Sequence, residues 1–237
     1  MAGRPLVLGH RGASAVAPEN TVAAFSKARE LGADGVELDV RRTADDVLIV
    51  HHDAAITGVG ALVELTFADV RAARPALPTL GEALDALHGM VVNAEVKCLP
   101  WEIDADQDGS VMRATIDALA ARTGMTIVSS FYLGAVDLAR AYAPDLTTAW
   151  LTHGHEVVAA AAIAVDHGHQ WLNPDAASAI TAGAEGIAAA HTAGARVGVW
   201  TVDDPDDARA LATAGADVII SNVPDLMIAA LAGEQRP

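Results

Sequence analysis

Short β-type runs alternate with alanine-rich helical stretches eight times along this chain, and no low-complexity linker or charge block interrupts them. That rhythm limits the possible folds more than any other feature. Strands that alternate with helical stretches are the signature of βα units and a parallel sheet. The runs predict strands near 6–10, 35–40, 91–97, 126–131, 147–151, 170–173, 196–202 and 217–221. Between and after them, helices are predicted over 21–31, 79–88, 109–122, 134–142, 156–167, 179–193, 205–214 and 225–232. Eight such units favour closure into a (β/α)8 barrel over an open sheet, and 237 residues suit one barrel of roughly 250. The expectation is α/β: a single TIM-barrel domain over residues 1–237. Two joints repeat, ELGADGVEL at 30–38 and TAGADVIIS at 213–221, which puts Gly32 and Gly215 just past helix ends, where positive φ costs glycine little.

One stretch breaks the rhythm. VLIVHHD at 47–53 looks like a strand, yet only about six residues separate it from strand 2, too few for a parallel crossover of at least ~10. Residues 41–53 are therefore expected to form a hairpin-like excursion that carries His52 back over the barrel mouth. Residues 54–78 are read as irregular.

Composition excludes several classes of function. Apolar residues make up 52%, enough for a large core. Asp and Glu number 31 against 15 Lys and Arg, a net charge of −16. No basic cluster could neutralise a row of phosphates, so neither a nucleic-acid partner nor a stable membrane association is expected. The single cysteine, Cys98, cannot form an intrachain disulfide and reads as a small packing residue. The opening MAGRPLVLGH lacks the apolar core of a leader, and no run of ~18 apolar residues suggests a span, so a cytoplasmic location is expected. Nothing in the sequence speaks to oligomeric state.

Four segments concentrate the chemistry: GHRGASAVAPENT at 9–21, VELDV at 36–40, HHD at 51–53 and AEVK at 94–97. Glu37 and Asp39 stand two apart on a strand and share a face, and Glu95 and Lys97 repeat the spacing on the next barrel strand. Inward carboxylates are costly unless a cation sits between them. Three oxygen donors without cysteine or a zinc-spaced histidine pair point to a hard ion, Mg²⁺ or Ca²⁺. The bland alternative is an ion-pair network of these residues with Arg11. His10 and His52 at the same mouth could serve as the acid and base of phosphodiester cleavage, and Arg11 offers a fork of donors to phosphate oxygens. Gly12 is expected to let the backbone approach a ligand closely. His51, adjacent on the strand, should face away. Asn20 or Thr21 could cap the following helix, and Glu19 could equally serve that helix end or the ligand.

Taken together, GHRG, PENT, ELDV, HHD and E-x-K resemble the glycerophosphodiester phosphodiesterase family of phospholipase-C-like barrels, and the resemblance continues through VSSF at 128–131, VWTVDD at 199–204 and ADVIISNVPD at 216–225. It implies that His10 and His52 are the acid–base pair and that Glu37, Asp39 and Glu95 hold one divalent metal. It also implies that Arg11 and Lys97 face the phosphate, that Trp200 lines the substrate pocket and that Glu19 belongs to the site. The implied reaction is hydrolysis of a small glycerophosphodiester to glycerol 3-phosphate and an alcohol, with a cyclic phosphate as a conceivable intermediate. Alternatives are a lysophospholipase-D-like or cyclising enzyme on lipids, and a noncatalytic barrel that binds phosphate esters.

Two departures stand out. The family's Leu-x-Arg-Thr after His-Asp is missing, with only Thr57 retained, and its Ile-Thr-Asp-x-Pro reads Ile220-Ser221-Asn222-Val223-Pro224. Asn222 is expected to cap the last helix as Asp would. DADQDG at 104–109 imitates the start of an EF-hand loop, but its twelfth position is Thr115, not Glu, so it reads as a polar loop capping the next helix. The remaining histidines read as surface or packing residues, with a substrate-loop role conceivable for His153 and His155.

Overall fold

The computed structural model describes residues 4–97 and 99–232; the expectation for Cys98 lies outside them. In chain order the elements begin with β1 (Leu6–His10), α1 (Val22–Glu30) and β2 (Gly35–Arg42). An excursion follows: β3 (Leu48–Val50), β4 (Ala55–Ile56), β5 (Gly60–Ala61), a 3-10 turn at Leu62–Glu64 and α2 (Phe67–Ala73). The barrel then resumes with α3 (Leu80–Ala86), β6 (Val91–Val96), α4 (Ser110–Leu119), β7 (Thr126–Ser130), α5 (Leu133–Tyr142), β8 (Thr147–Thr152) and α6 (Val157–Asp166). It ends with β9 (Trp171–Pro174), α7 (Ala176–Ala193), β10 (Arg196–Val199), α8 (Pro205–Ala214), β11 (Val218–Ser221) and α9 (Pro224–Ala230). β1 pairs in parallel with both β2 and β11, which closes eight strands into the expected (β/α)8 barrel.

Alternation along the strands sorts the side chains. Leu8, Ile127, Ala149, Trp171, Val218 and Ile220 fill the inside of the barrel. Outward neighbours such as Val36, Leu38 and Val40 pack on Phe25 and Ala28 of α1 and on Leu84 of α3. Opposite, Val197 and Ile219 pack on Ile187 and Leu211. The side-chain period of two thus leaves Glu37 and Asp39 facing inward among apolar neighbours. Thr21 caps α1, Thr79 and Glu82 form a capping box on α3, and Gly32 and Gly215 have the positive φ expected past helix ends, +85° and +101°.

The excursion is as expected at its start: β3 runs antiparallel to β2, with Val40 opposite Val50. Its remainder differs from the irregular reading of 54–78. Thr66 and Asp69 make a reciprocal capping box that starts α2, and Ile49, Ile56, Leu62, Val70 and Leu77 bury a small core of their own. Two boundaries also move. The strand expected over 196–202 stops at Val199, and α7 starts at Ala176 because the Asp175 side chain accepts from Ser178 N at 3.0 Å. Among the described residues, no helix is long and apolar enough to cross a membrane.

Candidate active site

The C-terminal ends of β1, β2 and β6 bring the predicted residues together. Strand register puts His10 beside Glu37 and Asp39 beside Glu95, so the local sequence pairs become one cluster. Glu37, Asp39 and Glu95 are all buried, and each offers a carboxylate oxygen within 4.8 Å of the others. Asp39 is the best satisfied. Asn20 Nδ2 donates to its Oδ2 at 2.7 Å, Arg11 Nε lies 3.2 Å from the same oxygen, and Lys97 Nζ lies 3.2 Å from Oδ1. Lys97 Nζ also lies 2.6 Å from Glu95 Oε1. Glu37 accepts from Arg11 N at 3.1 Å through Oε2, but its buried Oε1 has no hydrogen-bond partner.

Electrostatics separate the three carboxylates. Burial raises Glu37 well above the ordinary range, reinforced by Asp39 and Glu95. Burial also raises Glu95, to about 7, against the pull of Lys97. For Asp39 burial acts the same way, but Lys97 and Arg11 outweigh it and hold the group low. Three buried carboxylates against two cations leave the cluster short of positive charge. That shortage, the bare Glu37 oxygen and an all-oxygen donor set fit a hard divalent ion.

His10 sits on the same floor. Its Nε2 is 4.0 Å from Glu37 Oε2 and its Nδ1 is 2.7 Å from Asn222 Oδ1. Burial, then Arg11, lowers its pKa, which favours a neutral ring. His52 stands at the rim with about a third of its side chain exposed. Its Nδ1 donates to Asp53 Oδ1 at 2.7 Å, and its carbonyl accepts from Arg41 Nε at 2.7 Å. Arg41 is itself locked by Glu102 at 3.1 Å and by Asp104. The loop that imitates an EF-hand therefore supplies Asp104 as an anchor, while Asp106 and Asp108 accept from the first turn of α4.

Arg11 has φ +58°, a left-handed backbone uncommon for a non-glycine residue. Its guanidinium is held from outside by both oxygens of Glu19, at 3.0 and 3.1 Å. Trp200 packs edge-on against Phe131 at 5.2 Å and lines the pocket with His10, Glu37, Glu95, Leu151 and Ile220. His153 lies beyond it, 6.2 Å from the Trp200 ring. His51 lines a separate hollow with Pro18 and Leu77.

Two sequence expectations are corrected here, and an open choice is resolved. Asn222 caps no helix: α9 starts after Val223 without a side-chain cap, and the Asn222 amide is spent on His10, Ser14 and Asp203. Gly12, at φ +87°, is needed where β1's exit crosses α1, because a Cβ there would lie 2.7 Å from the Ala24 carbonyl carbon. Thr21, not Asn20, is the helix cap, which frees Asn20 for Asp39. Sequence reasoning missed Asn20, Arg41, Asp203 and Asn222 as parts of the site. Asn20, Asp203 and Asn222 lie inside its motifs and Arg41 directly follows one, but only chain folding shows what their side chains reach. A second convergence, His167 Nδ1 at 2.9 Å and His169 Nε2 at 3.1 Å from Asp137 Oδ1, lies at the start of β9, away from this mouth. Hydrogen bonding accounts for it, and Thr148 Oγ1 lies 3.1 Å from the other ring nitrogen of His169.

Comparison with known proteins gives one consistent family. The profile of the Glycerophosphoryl diester phosphodiesterase family matches residues 10–226. A glycerophosphodiester phosphodiesterase of Caldanaerobacter subterraneus subsp. tengcongensis is 29% identical over 249 residues, covering 95% of this chain and 97% of that protein. The solved glycerophosphodiester phosphodiesterase of Agrobacterium tumefaciens str. C58 superposes with a TM-score of 0.79 at 25% identity, over 95% of this chain and 99% of that one. A phosphodiesterase of Oleispira antarctica, solved in complex with the product sn-glycerol-3-phosphate, shares the fold with a TM-score of 0.85 at 22% identity, over 97% and 98% of the two chains.

Proposed function

Because the chain belongs to the glycerophosphoryl diester phosphodiesterase family, we propose that it hydrolyses small glycerophosphodiesters to glycerol 3-phosphate and an alcohol. The observation that carries this reading is the cation-deficient carboxylate floor of Glu37, Asp39 and Glu95, flanked by His10. Those three residues would hold one hard divalent ion, Mg²⁺ or Ca²⁺, which when bound supplies Lewis-acid polarisation of a phosphoryl oxygen. Arg11 and Lys97 offset the negative charge that grows on the phosphoryl oxygens. Glu19 keeps the Arg11 fork in place, and Trp200 walls the pocket against water.

The two histidines divide the proton traffic. His10, half-buried and biased to its neutral form, takes the proton from the attacking hydroxyl at Nε2. His52, held at Nδ1 by the Asp53 carboxylate, gives a proton to the departing alkoxide. The attacker in this reading is the substrate's own neighbouring hydroxyl, so a cyclic phosphate forms and water then opens it.

The test is release of glycerol 3-phosphate from glycerophosphocholine and glycerophosphoethanolamine, before and after chelation and after adding back each metal. Activity lost to chelation and restored by Mg²⁺ or Ca²⁺ supports the reading; full activity after thorough chelation removes the metal from it. A second reading, a lysophospholipase-D-like activity, is favoured by exposed Trp101 and Ile103 after β6 and Tyr132 after β7, on the same end of the barrel as the site. Faster turnover of the lyso-acyl analogue than of glycerophosphocholine would select it.

A further inference from the structure

We propose that Asp203 and Asn222 are a positioning pair that fixes His10 in its Nδ1–H tautomer and leaves Nε2 bare toward the carboxylate floor. Neither residue reaches the reacting atoms. The inference rests on the phosphodiesterase reading only for what the bare nitrogen does.

Asp203, an ionised carboxylate, can only accept hydrogen bonds. Its Oδ1 takes Asn222 N at 2.8 Å and Ser221 Oγ at 2.9 Å, and its Oδ2 takes Asn222 Nδ2 at 2.6 Å. The NH₂ end of the Asn222 amide must therefore face Asp203, which settles which way the amide points and turns Oδ1 toward His10. That oxygen accepts from Ser14 Oγ at 2.8 Å and lies 2.7 Å from His10 Nδ1. An amide oxygen has no proton to give, so the ring nitrogen must carry it. In a neutral imidazole the proton on Nδ1 leaves the lone pair on Nε2, the nitrogen that faces Glu37 at 4.0 Å. The segment is clamped from the other side as well, because Ala15 N donates to Asn222 O at 3.1 Å. The chain thus fixes a proton on His10 from two residues away in space, through an amide that a carboxylate has oriented.

The same geometry explains the departure from the family's Ile-Thr-Asp-x-Pro pattern. With Asp at 203, a second carboxylate at 222 would set two acceptors against each other where Nδ2 and Oδ2 now meet at 2.6 Å. One carboxylate and one amide are required, and in either order they would leave an acceptor facing His10.

The experiment compares wild type, Asp203→Asn, Asn222→Asp and the double exchange Asp203→Asn/Asn222→Asp. ¹⁵N-edited spectra of the substrate-free protein, above the pH where His10 titrates, report its tautomer; kcat and KM are measured on glycerophosphocholine. In wild type, Nδ1 is expected to be the protonated nitrogen. Asp203→Asn frees the amide to turn, so the spectrum shifts toward a mixture. Each single exchange is expected to lower kcat at least ~10-fold with KM changed less than about twofold, the pattern of a group lost to the transition state only. The double exchange is expected to regain the wild-type tautomer and a kcat within about threefold of wild type. If Asn222→Asp fails to fold, the wild-type tautomer and the double exchange still decide. A proton on Nε2 in wild type overturns the proposal, as does a double exchange no better than the singles. Since the tautomer is read without substrate, loss of the activity reading would not pass for loss of this one.

Discussion

Glu95→Gln isolates the electrostatics of the carboxylate floor. Burial raises Glu95 from its ordinary 4.5 to about 7, although Lys97 lies 2.6 Å away. In the unfolded chain the same group ionises near its ordinary value, so between about pH 4.5 and 7 the folded, cation-free protein binds the extra proton. Stability must then fall as pH rises through that window and level off above it. The shift corresponds to about 3 kcal/mol, or roughly 6–12 °C in Tm for a chain of this length. Calorimetry of chelated protein from pH 5 to 8 should show a clearly steeper slope in wild type than in Glu95→Gln, where only Glu37, still raised by its own burial and by Asp39, keeps part of it. Divalent ion uptake requires the ionised groups, so apparent affinity in wild type should weaken by at least about tenfold per unit below pH 7, since raised Glu37 must also give up its proton. Parallel Tm curves for the two proteins, or cation affinity independent of pH between 6 and 8, would refute the reasoning.

Replacing His10 or His52 by Ala should lower kcat at least ~10²-fold while circular dichroism stays unchanged; normal turnover by both would remove them from the chemistry. Lys97→Met leaves Asp39 and Glu95 buried with one cation fewer, and should destabilise the chelated protein by about 3–5 kcal/mol, with part recovered on adding Mg²⁺ or Ca²⁺. Thermal melts with and without the ion check this, and a chelated variant as stable as wild type would contradict it. Gly12→Ala forces a Cβ against the Ala24 backbone at positive φ, and should cost about 1–3 kcal/mol in denaturant unfolding; an unchanged midpoint would mean that the crossing relaxes freely.

The barrel is legible in the sequence because period-two strands and alanine-rich helices are local patterns, and eight of them in alternation leave few ways to bury both faces of a sheet. The same locality made Glu37, Asp39, Glu95 and Lys97 readable: residues two apart on a strand share a face whatever the rest of the chain does. α2 was missed although Thr66 and Asp69 carry a capping signal, because seven residues make only about two turns, too few for a helical period to show. Tertiary structure alone decided which partners these side chains meet. Asn20 could cap a helix or serve Asp39, and only the crossing of β1 into α1 gave the cap to Thr21. Asn222 had equally good local work at the start of α9, yet closure of β11 onto β1 brought it to His10, 212 residues away in sequence. A propensity is summed over neighbours in the chain, whereas an amide's orientation and a histidine's proton are set by donors and acceptors that only barrel closure brings together.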